Sequence, residues 1–208
     1  MKTATYKTVE FILIFLVIPI SFAFTYPFVV KASLGVIGFL YVLYILLKVE
    51  ATQLKIKRSF DWKFYCKQLC FRLSFIALLT ILFMCLTNRG SLFSVLLEKP
   101  KTWVIMLFVY SLFSVVPQEI IFRTLYFKRY KCLVRNQNLF ILLNAVVFSL
   151  AHLFYKNTLV LLITFLGGLL FALTFKKTKS TILVSIEHAI YGCWLFTVGM
   201  GEMLGFPS

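Results

Sequence analysis

Long apolar runs dominate this chain, at roughly 9–25, 28–47, 69–87, 102–122, 139–155, 158–175 and 181–200. A helix that crosses the hydrocarbon core of a bilayer needs ~20 mostly apolar residues. In lipid the backbone has to satisfy its own hydrogen bonds, and helices do so within each segment. Of 208 residues, 61% are hydrophobic and 14% charged, against about half and about a quarter in a soluble domain. The runs take most of the chain and leave no room for a separate soluble domain. The expected fold is all-α: one polytopic membrane-embedded bundle of about seven spans over residues 1–208.

The net charge of +15 suggests nucleic acid, but its placement argues against that. If all seven runs span, sixteen Lys and Arg fall on one side, five on the other, and Arg123 stays inside a span. This is a positive-inside bias. It predicts a plasma (inner) membrane protein with its N-terminus in the cytoplasm and its C-terminus outside. Basic juxtamembrane loops also attract anionic lipid headgroups. The bilayer, not nucleic acid, is therefore the expected partner of this charge.

Lys2 and Lys7 precede an apolar stretch, and Ser21-Phe22-Ala23 fits a signal-peptide cleavage site. A retained first span is the preferred reading. Tyr26-Pro27 marks a break before the second span, because proline disfavours helix in the residue before it. Residues 48–72 mix basic residues with Phe60, Trp62, Phe64 and Tyr65, a pattern for a helix lying at the interface; a solvated loop is the other reading. Residues 156–157 and 176–180 read as tight turns. Gly167-Gly168 is a close-packing signal. No cysteine pair has Cys-x-x-Cys spacing, so neither a disulfide framework nor a zinc-thiolate site is expected.

Glu10, Glu50, Asp61, Glu98 and Glu202 fall at span ends or in loops, whereas Glu119, Arg123, His152, Glu187 and His188 lie inside apolar runs. Ionisable groups at that depth are costly and face the bundle interior. They cluster on the fourth, fifth and seventh spans. Glu119 and Arg123 are four apart and share a helical face, so they can pair. Gln118 precedes the pair, and Pro117 removes a backbone donor and loosens the helix there. A Glu and two His on three helices suffice for zinc or another divalent metal with an open water position, or for a base and proton shuttle in hydrolysis. Such residues also build proton relays, so a proton-coupled transporter stays open. Counting from the inner basic residues puts Glu119 and His188 ~13 Å deep, with His152 nearer the outer face.

Taken together, these segments resemble the CAAX-protease and bacteriocin-processing (Abi) family of intramembrane endopeptidases. That family carries Glu-Glu-x-x-x-Arg, Phe-x-x-x-His and His-x-x-x-Asn in order on three helices. Here they read Gln118-Glu119-Ile120-Ile121-Phe122-Arg123, Phe148 to His152, and His188 to Gly192. The resemblance covers about residues 102–200. It implies hydrolysis of a membrane-associated peptide or protein by water activated with Glu119 and His152. It further implies that His188 stabilises the oxyanion, and Arg123 is expected to orient Glu119. Two positions depart from the pattern. Gln118 stands where the first Glu belongs and cannot accept a proton as a base. Gly192 stands where Asn belongs. Glu119 is then the expected base, with Glu187 as the substitute. A non-catalytic member that binds a membrane partner is the alternative reading.

Overall fold

The structure is a computed structural model that describes residues 3–50 and 61–204. Its helices are α1 (Ala4–Ser21), α2 (Phe28–Val49), α3 (Trp62–Thr87), the short α4 (Ser94–Glu98), α5 (Pro100–Arg129), α6 (Gln137–Leu150), α7 (Thr158–Thr178) and α8 (Thr181–Thr197). A turn and a 3₁₀ segment, Leu153–Tyr155, extend α6. Six helices, α6 with its extension among them, are long and apolar enough to cross a membrane, and α8 is apolar but shorter. The described residues contain no strand. The all-α polytopic bundle of about seven spans is therefore what forms. Large apolar side chains such as Phe28, Val36, Ile37 and Leu40 stay exposed along α2, as lipid solvent permits.

Local chemistry sets the helix ends. α2 begins directly after Pro27. Asn136 and Asn157 cap α6 and α7, each side chain accepting two backbone N–H groups. Lys156 and Lys179 take positive φ and close the two tight turns. Asp61 caps α3 by accepting from the Phe64 N–H. Trp62, Phe64 and Tyr65 thus form the first turns of a membrane-length helix, not part of a separate interfacial one. Residues 51–60 of that connection lie outside the described residues.

The chain divides into two compact units, Met1–Leu54 with Pro117–Thr181, and Lys55–Val116 with Ile182–Ser208. The first has an aromatic core. Phe15 of α1, fully buried, meets the rings of Phe122, Tyr126 and Tyr130 edge-on at 5.5–5.7 Å. Such pairs contribute ~0.5–1.5 kcal/mol beyond area burial. α6 and α7 meet where Gly168 faces Ala145; a Cβ at 168 would lie 3.0 Å from the Ala145 Cα. In the second unit, indole N–H groups tie helices together. Trp103 donates to Thr197 Oγ1 at 3.0 Å and Trp194 to Thr80 Oγ1 at 2.9 Å.

Two buried charge groups correct the expectation that intramembrane charge is confined to three spans. Glu10 of α1 is buried and accepts from Arg129 Nε and Nη2, from Tyr41 and from Tyr130. Arg129 Nη1 also reaches Glu50 at 2.9 Å. Burial and the Glu10 carboxylate push the Tyr130 phenol well above its usual value, so it donates to that carboxylate. Arg72, counted from sequence with the basic inner connection, lies within α3 and pairs with Glu187 at 2.6 Å. Buried charges need partners, and here Glu10 with Arg129 and Arg72 with Glu187 each stand more than a hundred residues apart in the chain.

Candidate active site

In the first unit, α5 and α6 bring the first two motifs together. Glu119 and Arg123 are fully buried and form an ion pair at 3.3 Å across one helical turn. The Arg123 guanidinium lies 4.5 Å over the Phe148 ring and 5.6 Å over the Phe171 ring. Desolvated cation–π contacts contribute ~2 kcal/mol. Phe148 therefore holds the cation that orients Glu119.

Phe148 also holds the histidine. α6 ends just beyond it, and the His152 N–H bonds to the Ser149 carbonyl instead of continuing the helix ladder. The Phe148 carbonyl instead accepts from His152 Nδ1 at 2.8 Å. A carbonyl only accepts, so Nδ1 carries the hydrogen and Nε2 is the basic nitrogen. The imidazole is further set by ring contacts with Phe148 at 4.9 Å and Tyr155 at 6.2 Å.

Helix register resolves the depth of His152. α5 and α6 run antiparallel within this unit. Tyr126 meets Phe140, Phe122 meets both Asn144 and Phe148, and Arg123 meets Phe148. One further turn outward on each helix leads to Glu119 on α5 and to His152 beyond the end of α6. Residue counting overstated their separation: α6 starts only at Gln137, two residues after Arg135, which removes ~3 Å of it.

α5 is wound wide around Pro117, with π-helical turns at Tyr110–Val115 and Ile120–Leu125. Proline lacks the N–H of an ordinary turn, and such turns are frequent at functional sites. Within the second wide turn the Tyr126 N–H bonds to the Arg123 and Ile121 carbonyls. The Phe122 carbonyl accepts from Asn144 Nδ2 at 2.6 Å. Asn144 is fully buried, and among the described residues its Oδ1 has no hydrogen-bond partner. Sequence reading passed over Asn144. The available signal was its polarity in an apolar run, one turn before Phe148 on the same face.

Glu187 and His188 lie in the second unit. Glu187 is buried, and its Oε1 accepts from Arg72 Nη1 at 2.6 Å and from the Tyr191 hydroxyl at 3.0 Å. Both donors bind the carboxylate in place. His188 Nε2 is 3.2 Å from the Tyr110 hydroxyl, with the two rings edge-on. Gln118 sits beside Glu119 in the first unit, half-buried. Among the described residues, neither unit by itself gathers three or more His, Cys, Asp or Glu side chains in reach of one metal ion.

Residues 100–194 match the family model described as type II CAAX prenyl endopeptidase Rce1-like. The match covers just under half of the chain, runs from α5 into α8, and takes in all three motifs. No curated protein and no solved structure matches the chain. The apolar helices and this match together make it a membrane protein of a CAAX-type intramembrane protease kind. Over this stretch, with its motifs in order from Gln118 to Gly192, the chain is similar to the type II CAAX prenyl endopeptidase Rce1-like family.

Proposed function

We propose that the protein is an intramembrane endopeptidase that hydrolyses a peptide bond of a membrane-associated protein or peptide. Glu119 is the base. It takes a proton from water as the water oxygen attacks the scissile carbonyl, and Arg123 holds the carboxylate in position. His152 takes that proton from Glu119 at Nε2 and delivers it to the leaving amine as the C–N bond breaks. His188 donates to the oxyanion, the role that the resemblance implies for it. Gln118 offers a hydrogen bond but takes no proton. One observation carries this reading: the line from buried Glu119, Arg123 and Phe148 to half-buried His152, in which each residue sets the next. The bilayer supplies the surroundings, the N-terminus is cytoplasmic and the C-terminus outside.

Purified protein in detergent is expected to cleave a membrane-tethered peptide, with Glu119→Gln and His152→Ala each abolishing cleavage. If both variants cleave like wild type, the mechanism is wrong. Partner capture that is insensitive to His152→Ala, with no cleavage by wild type, would identify a binding protein instead. Glu119-dependent proton flux in liposomes would identify a transporter. Labelling of Cys132 by a membrane-impermeant maleimide in everted but not right-side-out vesicles checks the orientation.

A further inference from the structure

Gly192 lies one turn after His188 on the same face of α8, where the family pattern has an amide side chain. The space is occupied. A Cβ built at 192 would stand 2.1 Å from the Tyr110 hydroxyl and 2.4 Å from a Tyr110 ring carbon. Real side chains do not approach that closely, so any other residue at 192 would have to displace Tyr110. The Tyr110 ring also packs edge-on against Phe196 at 4.7 Å, which restricts where it could move. Its hydroxyl lies 3.2 Å from His188 Nε2. The π-helical segment of α5 begins at Tyr110 itself.

We propose that Tyr110 is a positioning residue for His188 and that Gly192 exists to admit it. The inference rests on the reading of His188 as part of a proteolytic site. A hydroxyl can donate and accept, as a carboxamide can. The polar group that one turn of α8 would supply is thus delivered from α5, and it sets the ring orientation and tautomer of His188. The Gly192 departure is then a relocation of that group.

Cleavage by Tyr110→Phe, which keeps the ring, is expected to show kcat about tenfold lower, the effect of one hydrogen bond, with KM within about twofold. Tyr110→Ala opens the space at 192. Adding Gly192→Asn to it is expected to raise kcat several-fold, to roughly the Tyr110→Phe value. The chain has two histidines, so His152→Gln leaves His188 as the sole one. The ring ¹⁵N resonances of His188 in that background are expected to shift when Tyr110→Phe is added. Wild-type kcat in Tyr110→Phe together with unmoved His188 resonances would overturn the proposal. So would a double variant no better than Tyr110→Ala. If no form of the protein cleaves but the His188 resonances shift, the proteolytic reading fails while the Tyr110–His188 coupling stands.

Discussion

The Arg123 guanidinium stacks on the ring of Phe148 at 4.5 Å, so the cation of the first motif is held by the aromatic residue of the second. The same residue fixes the His152 imidazole through its carbonyl. The Phe-x-x-x-His spacing thus serves two purposes. The side chain steadies the Glu119–Arg123 pair, and the backbone steadies the histidine one turn on.

Replacing Phe148 with Leu removes the aromatic face and some volume but leaves the carbonyl. Thermal unfolding in detergent should show a loss of ~2–3 kcal/mol from the cation–π and packing terms. Cleavage should fall about tenfold, because the base loses its orientation while both catalytic side chains remain. Unchanged activity in a folded Phe148→Leu protein would mean that Arg123 orients Glu119 unaided.

The buried Glu119–Arg123 pair should behave as a unit. Removing one member of such a pair leaves an uncompensated charge and costs ~3–5 kcal/mol, whereas replacing both with apolar groups is often neutral. Arg123→Met should therefore unfold at a lower temperature than Glu119→Met/Arg123→Met, although the double variant has no base and no activity. Additive losses in the double-mutant cycle would show that the two do not interact.

Glu187 is held by Arg72 and Tyr191, an arrangement suited to a structural pair. Glu187→Gln should keep cleavage within about threefold of wild type while lowering thermal stability. Arg72 is only partly buried and can turn toward water when its partner is neutral. Loss of activity as complete as in Glu119→Gln would instead make Glu187 the base.

The α6–α7 contact predicts a contrast between glycines. A Cβ at Gly168 would meet the Ala145 backbone at 3.0 Å, whereas one at Gly35 would meet nothing within 4 Å. Gly168→Ala should destabilise by ~1–3 kcal/mol through overpacking. Gly35→Ala should be neutral or stabilising by ~0.5–1 kcal/mol, because alanine favours helix. Thermal unfolding of both in one detergent is the measurement. Equal effects would remove the case for close approach at Gly168.

By itself the sequence determined the helical spans, the tight turns at Lys156 and Lys179, the shared face of Glu119 and Arg123, and the order of the three motifs. These follow from hydropathy, from proline and turn chemistry, and from a repeat of 3.6 residues, all local properties. Tertiary structure decided which charges are paired across helices. Glu10 with Arg129 and Arg72 with Glu187 are each more than a hundred residues apart, and Tyr110 reaches the space at Gly192 from seventy-eight residues before His188. Hydropathy marks a residue as buried but carries no information about helix rotation or depth, and these choose the partner of a buried charge. For the same reason Glu10 read as a span-end acid and Gly192 as a lost amide. One is the centre of an ion-pair network, and the other makes room for a tyrosine hydroxyl.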